Sequence, residues 1–144
     1  ALNRHAIWSS GAMTDGTEMV DGWLATNNPD YATAFDARAA DWTVHNLPAP
    51  SAGFRHDGAP GGDGRGNAPT PWRTIEAGIR AGGSWPASFF GFQRAPQFRA
   101  STRCAMVAAM SEHGRFLRQF GDNGNSNWKS MQVRAPRVLV SACR

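Results

Sequence analysis

The feature that most constrains the fold is a helical repeat of apolar side chains between residues 103 and 120. Residues there recur at the spacing of one helix face: Met106, Met110, His113, Leu117 and Phe120. Ser101 or Thr102 suits an N-cap, and Gly121 suits a helix stop. The segment therefore predicts an amphipathic helix whose methionine face is buried.

A second helix is predicted after Asn28. This residue suits an N-cap, and Pro29 suits the first helical position because its fixed φ angle matches the helix. The residues that follow place an apolar stripe on one face: Tyr31, Phe35, Ala39 and Trp42.

Thr70 and Pro71 predict the start of a third helix. Its apolar stripe consists of Trp72, Ile75 and Ile79. Glu76 and Arg80 are spaced as an ion pair one turn apart, and the glycines at 82–83 are expected to end the helix.

A glycine cluster at residues 61–66 precedes this helix and raises the question of a phosphate site. The lysine of a P-loop is missing, and Asn67 stands where a dinucleotide-binding motif needs its third glycine. The pattern argues against phosphate binding at this position.

The remaining segments predict strands and one long loop. Turn residues divide 5–28 into short apolar pieces, the aromatic segment 84–101 fits short strands or irregular structure, and 128–134 and 137–143 alternate like strands. Residues 46–70 hold four prolines and six glycines and predict a mobile loop. The expected fold is a single α+β domain over 1–144, with three short helices and short antiparallel strands.

Charge is distributed unevenly along the chain, which has a formal net charge of +4. Residues 1–41 carry six acidic residues against two arginines, whereas the remainder carries thirteen bases against five acids. This asymmetry fits either internal attraction between the two segments or a basic surface for an anionic partner.

Two cysteines, Cys104 and Cys143, are predicted to form one disulfide that closes a long loop. In a reducing compartment both would instead be thiols. The disulfide predicts an extracellular, periplasmic or virion-surface location. The sequence contains no apolar run long enough to span a membrane, and its first residues lack a signal-peptide pattern.

His113 and Cys104 are the candidate catalytic residues. His113 interrupts an apolar helix face, which fits a neutral core histidine or a base at the floor of a pocket. Cys104 is expected in the first helical turn, where the helix dipole would favour a thiolate. No motif with the spacing of metal ligands occurs, so neither a metal nor a cofactor is predicted.

The candidate ligand-binding residues combine guanidinium groups with an aromatic ring. They are Arg94, Phe98, Arg99, Arg103, Arg115 and Arg118. Guanidinium groups bind sulfate, phosphate and carboxylate through paired hydrogen bonds, and aromatic faces stack on sugars or bases. The alternative is a buried aromatic cluster covered by arginine stems.

These features favour a non-enzymatic extracellular or virion-surface recognition module that binds a glycan or another anionic partner. One alternative is a small secreted hydrolase that uses His113 or a carboxylate of the Asp15 to Asp21 turn. A second alternative is a nucleic-acid-binding protein, whose affinity would fall steeply with salt.

Overall fold

A computed structural model of the chain describes residues 13–46, 72 and 74–120. Within these ranges the chain is nearly all helical and contains no strand. The elements are α1 (Asp15–Thr26), α2 (Pro29–His45), α3 (Thr74–Ile79), a π-helical segment (Arg80–Ser84), α4 (Trp85–Phe92) and α5 (Ala100–Phe120). The predicted α+β fold is therefore wrong for the described residues.

Helix α1 occupies a segment where strands and turns were predicted. Gly16 and Gly22, which resemble turn residues in the sequence, lie inside α1 where it meets its neighbours. A Cβ at Gly16 would lie 2.5 Å from the hydroxyl of Ser88, and one at Gly22 would lie 2.6 Å from the ring of Tyr31. These glycines allow close helix packing, so tertiary contacts outweigh the local preference for a turn.

The predicted second helix is confirmed as α2, which follows α1 after two residues. Asn27 ends α1 in the left-handed conformation, with φ at 54°. Asn28 caps α2, because its side-chain oxygen accepts a hydrogen bond from the Asp30 N–H at 3.0 Å. Helices α1 and α2 pack against each other, as expected for two helices joined by so short a connection.

The predicted third helix begins as α3 but does not end at the two glycines. Instead the chain continues through the π-helical segment, where the Trp85 N–H donates to the Arg80 carbonyl five residues earlier. The wider turn falls just before Pro86, which has no N–H to continue α-helical hydrogen bonding. Helix α4 then occupies part of 84–101, where strands or irregular structure were expected.

The helix predicted over residues 103–120 is confirmed as α5, which begins at Ala100, three residues before the predicted start. Met106, Met110, His113 and Leu117 are all buried, as predicted. The predicted loop lies almost entirely outside the described residues, as do the C-terminal strands and Cys143. The division into one domain stays a prediction.

The core has two adjoining aromatic groups. In the first, Phe35 of α2 stacks on Phe92 of α4 with ring centres 5.0 Å apart, and Phe98 meets Phe35 edge-on at 5.4 Å. The second group collects three tryptophans, Trp42, Trp72 and Trp85, around the ring of His113. Helices α2, α4 and α5 thus share one interior.

We predict that Gly91→Ala destabilises the fold by roughly 1–3 kcal/mol, because the new methyl group would lie 2.5 Å from a methyl group of Val20. Gly83→Ala is the matched control. Beyond its own helix and chain neighbours, no heavy atom of the described residues lies within 4 Å of its added carbon, so no loss of stability is expected. Urea unfolding of both variants tests the prediction. Equal effects of the two substitutions would contradict the packing of α1 against α4.

Candidate functional site

The most unusual buried group is the guanidinium of Arg80. Arg80 is 0% exposed and begins the π-helical segment, so its side chain enters the interior instead of reaching solvent. Its Nε donates a hydrogen bond to Nε2 of His113 at 2.8 Å. This bond joins the π-helical segment to the middle of α5.

Three tryptophans surround this guanidinium. Its central carbon lies 4.2 Å from the ring centre of Trp42, 5.8 Å from that of Trp72 and 5.9 Å from that of Trp85. Aromatic faces attract cations within about 6 Å, and the attraction strengthens when water is excluded. The indoles therefore offset part of the cost of burying the charge. We call Arg80, His113 and the three tryptophans the arginine cage.

Trp72 also has a polar contact. Its indole N–H donates to the carbonyl of Asn46 at 2.8 Å, which satisfies the donor of a ring that is only 3% exposed. Asn46 is the C-cap of α2, and its backbone N–H donates in turn to the Trp42 carbonyl at 3.0 Å. The cage is thus tied to the end of α2.

Both ring nitrogens of His113 have partners within the protein. Nδ1 lies 2.5 Å from the Ala109 carbonyl, which can only accept, so Nδ1 carries the proton. Nε2 is then unprotonated and accepts the hydrogen bond from Arg80. Burial, followed by the positive charge of Arg80, lowers the pKa of His113 well below 6.5, against a smaller opposing effect of the Ala109 carbonyl.

Arg80 keeps its charge at neutral pH despite complete burial. Burial lowers its pKa to about 9, while the negative charge of Glu76 acts in the opposite direction. Glu76 is itself only 4% exposed. The sequence predicted these two residues as an ion pair one turn apart, and the structure places both in the interior.

The two candidate catalytic residues, His113 and Cys104, do not form a catalytic pair, because His113 is buried and Cys104 is exposed. The Nε2 lone pair of His113 is occupied by Arg80, so the ring matches the core histidine that the sequence allowed. Cys104 is a free, exposed thiol on α5. Because α5 begins at Ala100, Cys104 lies beyond the first turn, in which the sequence had placed it. Its predicted disulfide partner lies outside the described residues.

The predicted ligand-binding arginines differ in their partners. Arg99 donates through Nε to Asp36 at 2.6 Å and through its backbone N–H to the same carboxylate at 2.9 Å. Asp36 is 4% exposed, so this buried carboxylate of α2 neutralises Arg99 and holds the backbone of the residue that precedes α5. Arg115 pairs with Glu112 on the surface of α5.

Arg94 and Arg118 are exposed and have no ion-pair partner among the described residues. Arg103 is partly buried and donates to the Gln93 carbonyl at 3.0 Å. Phe98, predicted to stack on a ligand, is 1% exposed and belongs to the core. Phe90 is exposed and is connected to Phe98 through the ring of Phe89, but it was not among the predicted binding residues.

Within the described part of the chain, no group of three potential ligands is arranged to hold a metal ion. None of the described helices is sufficiently long and apolar to cross a membrane.

Residues 2–140 match the family model described as Heparinase II/III N-terminus. The chain belongs to this family. Searches of curated proteins and of solved structures found no match. Membership associates the chain with polysaccharide-related proteins, in agreement with the carbohydrate-related function expected from the sequence. It gives no support to nucleic-acid binding.

We predict that the stability of this family member falls as the pH drops below 6.5, the ordinary pKa of histidine. The unfolded chain gains a proton on His113 there, while the folded chain does not, at a cost of up to about 1.4 kcal/mol per pH unit. Urea unfolding at pH values on both sides of 6.5 measures this. His113→Asn does not titrate, and an unchanged pH slope in that variant would contradict the assignment to His113.

Replacement of Arg80 tests the cage itself. We expect Arg80→Met to lower the free energy of unfolding by about 3–5 kcal/mol, because it leaves buried polar groups without their cation. Arg80→Lys keeps a charge but loses the Nε donor, so an intermediate loss is expected. Arg94→Met, at an exposed position, is expected to stay within about 0.5 kcal/mol of the original chain. Similar losses in the free energy of unfolding for Arg80→Met and Arg94→Met would contradict the burial of Arg80 within the arginine cage.

Proposed function

We propose that this chain binds an acidic polysaccharide and acts as the binding part of a protein that handles such polymers outside the cytoplasm. The observation that carries the proposal is membership of the Heparinase II/III N-terminus family over residues 2–140. The family description names heparinases, and heparin is a polysaccharide rich in sulfate and carboxylate groups. A secreted or periplasmic location is part of the proposal.

The charge of the chain supports an anionic ligand. The sequence has a formal net charge of +4 and a pI near 10.0, and nearly all of its bases are arginine. Arginine binds sulfate and carboxylate through two parallel hydrogen bonds, a geometry that lysine lacks. Arg94 and Arg118 extend into solvent without a carboxylate partner among the described residues, so their charge is free to attract a polyanion.

The proposal assigns binding, and not catalysis, to the described residues. His113 has no free ring nitrogen to act as a base, because Ala109 and Arg80 occupy both. Cys104 is exposed and lies outside the first turn of α5. These contacts therefore favour the hypothesis of a recognition module over that of a small secreted hydrolase.

We expect the full chain to bind heparin and not to bind dextran, which carries no charge. Affinity for heparin should fall as NaCl rises from about 0.05 M to about 0.5 M, because salt screens exposed charges. Isothermal titration calorimetry with both polymers measures this. Equal binding to dextran, or no binding to heparin at low salt, would contradict the proposal.

A single-stranded DNA of matched charge separates the two anionic alternatives in the same titration. The proposal predicts weaker binding to this DNA than to heparin at equal ionic strength. Tighter binding to the DNA would favour the nucleic-acid alternative instead.

A further inference from the structure

Phe90 is the exposed end of a row of aromatic rings that begins in the core. Its ring is 46% exposed and meets Phe89 edge-on, with centres 5.5 Å apart. Phe89 meets the buried Phe98 edge-on at 5.7 Å. Edge-to-face packing is a favourable arrangement for aromatic rings. Phe90 is therefore packed against Phe89 while part of its ring surface is exposed to water.

Two arginines follow this ring along the chain. Arg94 follows Phe90 by four residues and lies in the turn after α4, where it is exposed. Arg103 approaches the same turn from α5, because its Nη1 donates to the carbonyl of Gln93 at 3.0 Å. Its guanidinium carbon also lies 5.8 Å from the ring centre of Phe98. Arg94 in this turn and Arg103 on α5 therefore both belong to the region that follows the end of α4.

The charge balance of this turn favours an acidic ligand. Arg99, the third arginine nearby, is neutralised by Asp36 at 2.6 Å. Neither Arg94 nor Arg103 has a carboxylate partner in the described ranges 13–46, 72 and 74–120. Single exposed apolar residues are common on protein surfaces, but here the exposed ring is combined with two uncompensated guanidinium groups. This combination matches a ligand with one apolar face and acidic substituents.

We propose that Phe90, Arg94 and Arg103 form a subsite for one acidic sugar residue of a polysaccharide. The C–H face of the pyranose ring stacks on Phe90, and its carboxylate or sulfate group accepts hydrogen bonds from the two arginines. This inference rests on the proposed function and assigns it to a defined surface. Arg115 and Arg118 lie three turns or more along α5 from Arg103 and do not belong to the subsite.

The test is the affinity of the full chain for a fluorescently labelled heparin oligosaccharide at low salt. Phe90→Ala is expected to weaken binding by about tenfold because it removes the stacking surface. Phe90→Trp keeps an aromatic face and should retain most of the affinity. Leu24→Ala is the matched control, since Leu24 is 67% exposed on α1 and is not aromatic. It should bind like the original chain.

The arginines are tested as a pair. Arg94→Gln with Arg103→Gln is expected to weaken binding by more than about tenfold, and the corresponding lysine pair by less, because lysine keeps the charge but not the paired hydrogen bonds. Ala34→Glu with Ala37→Glu controls for net charge, since it adds two negative charges on the exposed surface of α2 and so changes the net charge as much as the glutamine pair. Thermal unfolding of every variant establishes that the fold is retained.

The outcomes separate the subsite from the broader proposal. If the original chain binds the oligosaccharide but Phe90→Ala and the glutamine pair bind equally well, the subsite is wrong and polysaccharide binding stands. If Phe90→Ala weakens binding no more than Leu24→Ala, or the glutamine pair no more than Ala34→Glu with Ala37→Glu, that part of the subsite is overturned. If the original chain does not bind, both proposals fail.

Discussion

The contact on which the described fold depends is the hydrogen bond from the buried Arg80 guanidinium to the neutral ring of His113. A fully buried cation loses its hydration, a cost that nearby polar groups and aromatic faces must offset. Here His113 accepts from it at 2.8 Å, Trp42 covers it at 4.2 Å, and the charge of Glu76 favours its protonated form. Because these partners come from α2, α3 and α5, the requirement to satisfy one charge fixes how three helices meet.

The residues that stabilise the interior differ from those that are available to a ligand. The interior uses its histidine and its central arginine for packing, and their polar atoms have partners within the protein. Among the described residues, the groups available to a ligand include those around the turn between α4 and α5, where Asp36 neutralises Arg99 and Arg94 and Arg103 have no carboxylate partner. The subsite proposed at this turn is consistent with membership of the Heparinase II/III N-terminus family.

The sequence predicted those helices whose signals are local. Asn28 and Pro29 specify the start of α2, and the methionine stripe specifies the buried face of α5. Helix α1 was missed because Gly16 is a turn residue by local preference, and only its contact with Ser88 explains it inside a helix. The burial of Arg80 and the exposure of Phe90 were not predicted for a related reason. Both depend on the π-helical segment, which changes the helical register and has no recognisable period in the sequence.

The most direct test of the central claim is nitrogen-15 NMR of the Arg80 and His113 side chains in the folded protein. We expect a His113 ring protonated on Nδ1 alone and unchanged as the pH falls through 6.5, with an Arg80 Nε proton that exchanges slowly with water. A His113 ring that titrates near 6.5, together with rapid exchange of the Arg80 Nε proton, would contradict the buried pair and the helix arrangement built on it.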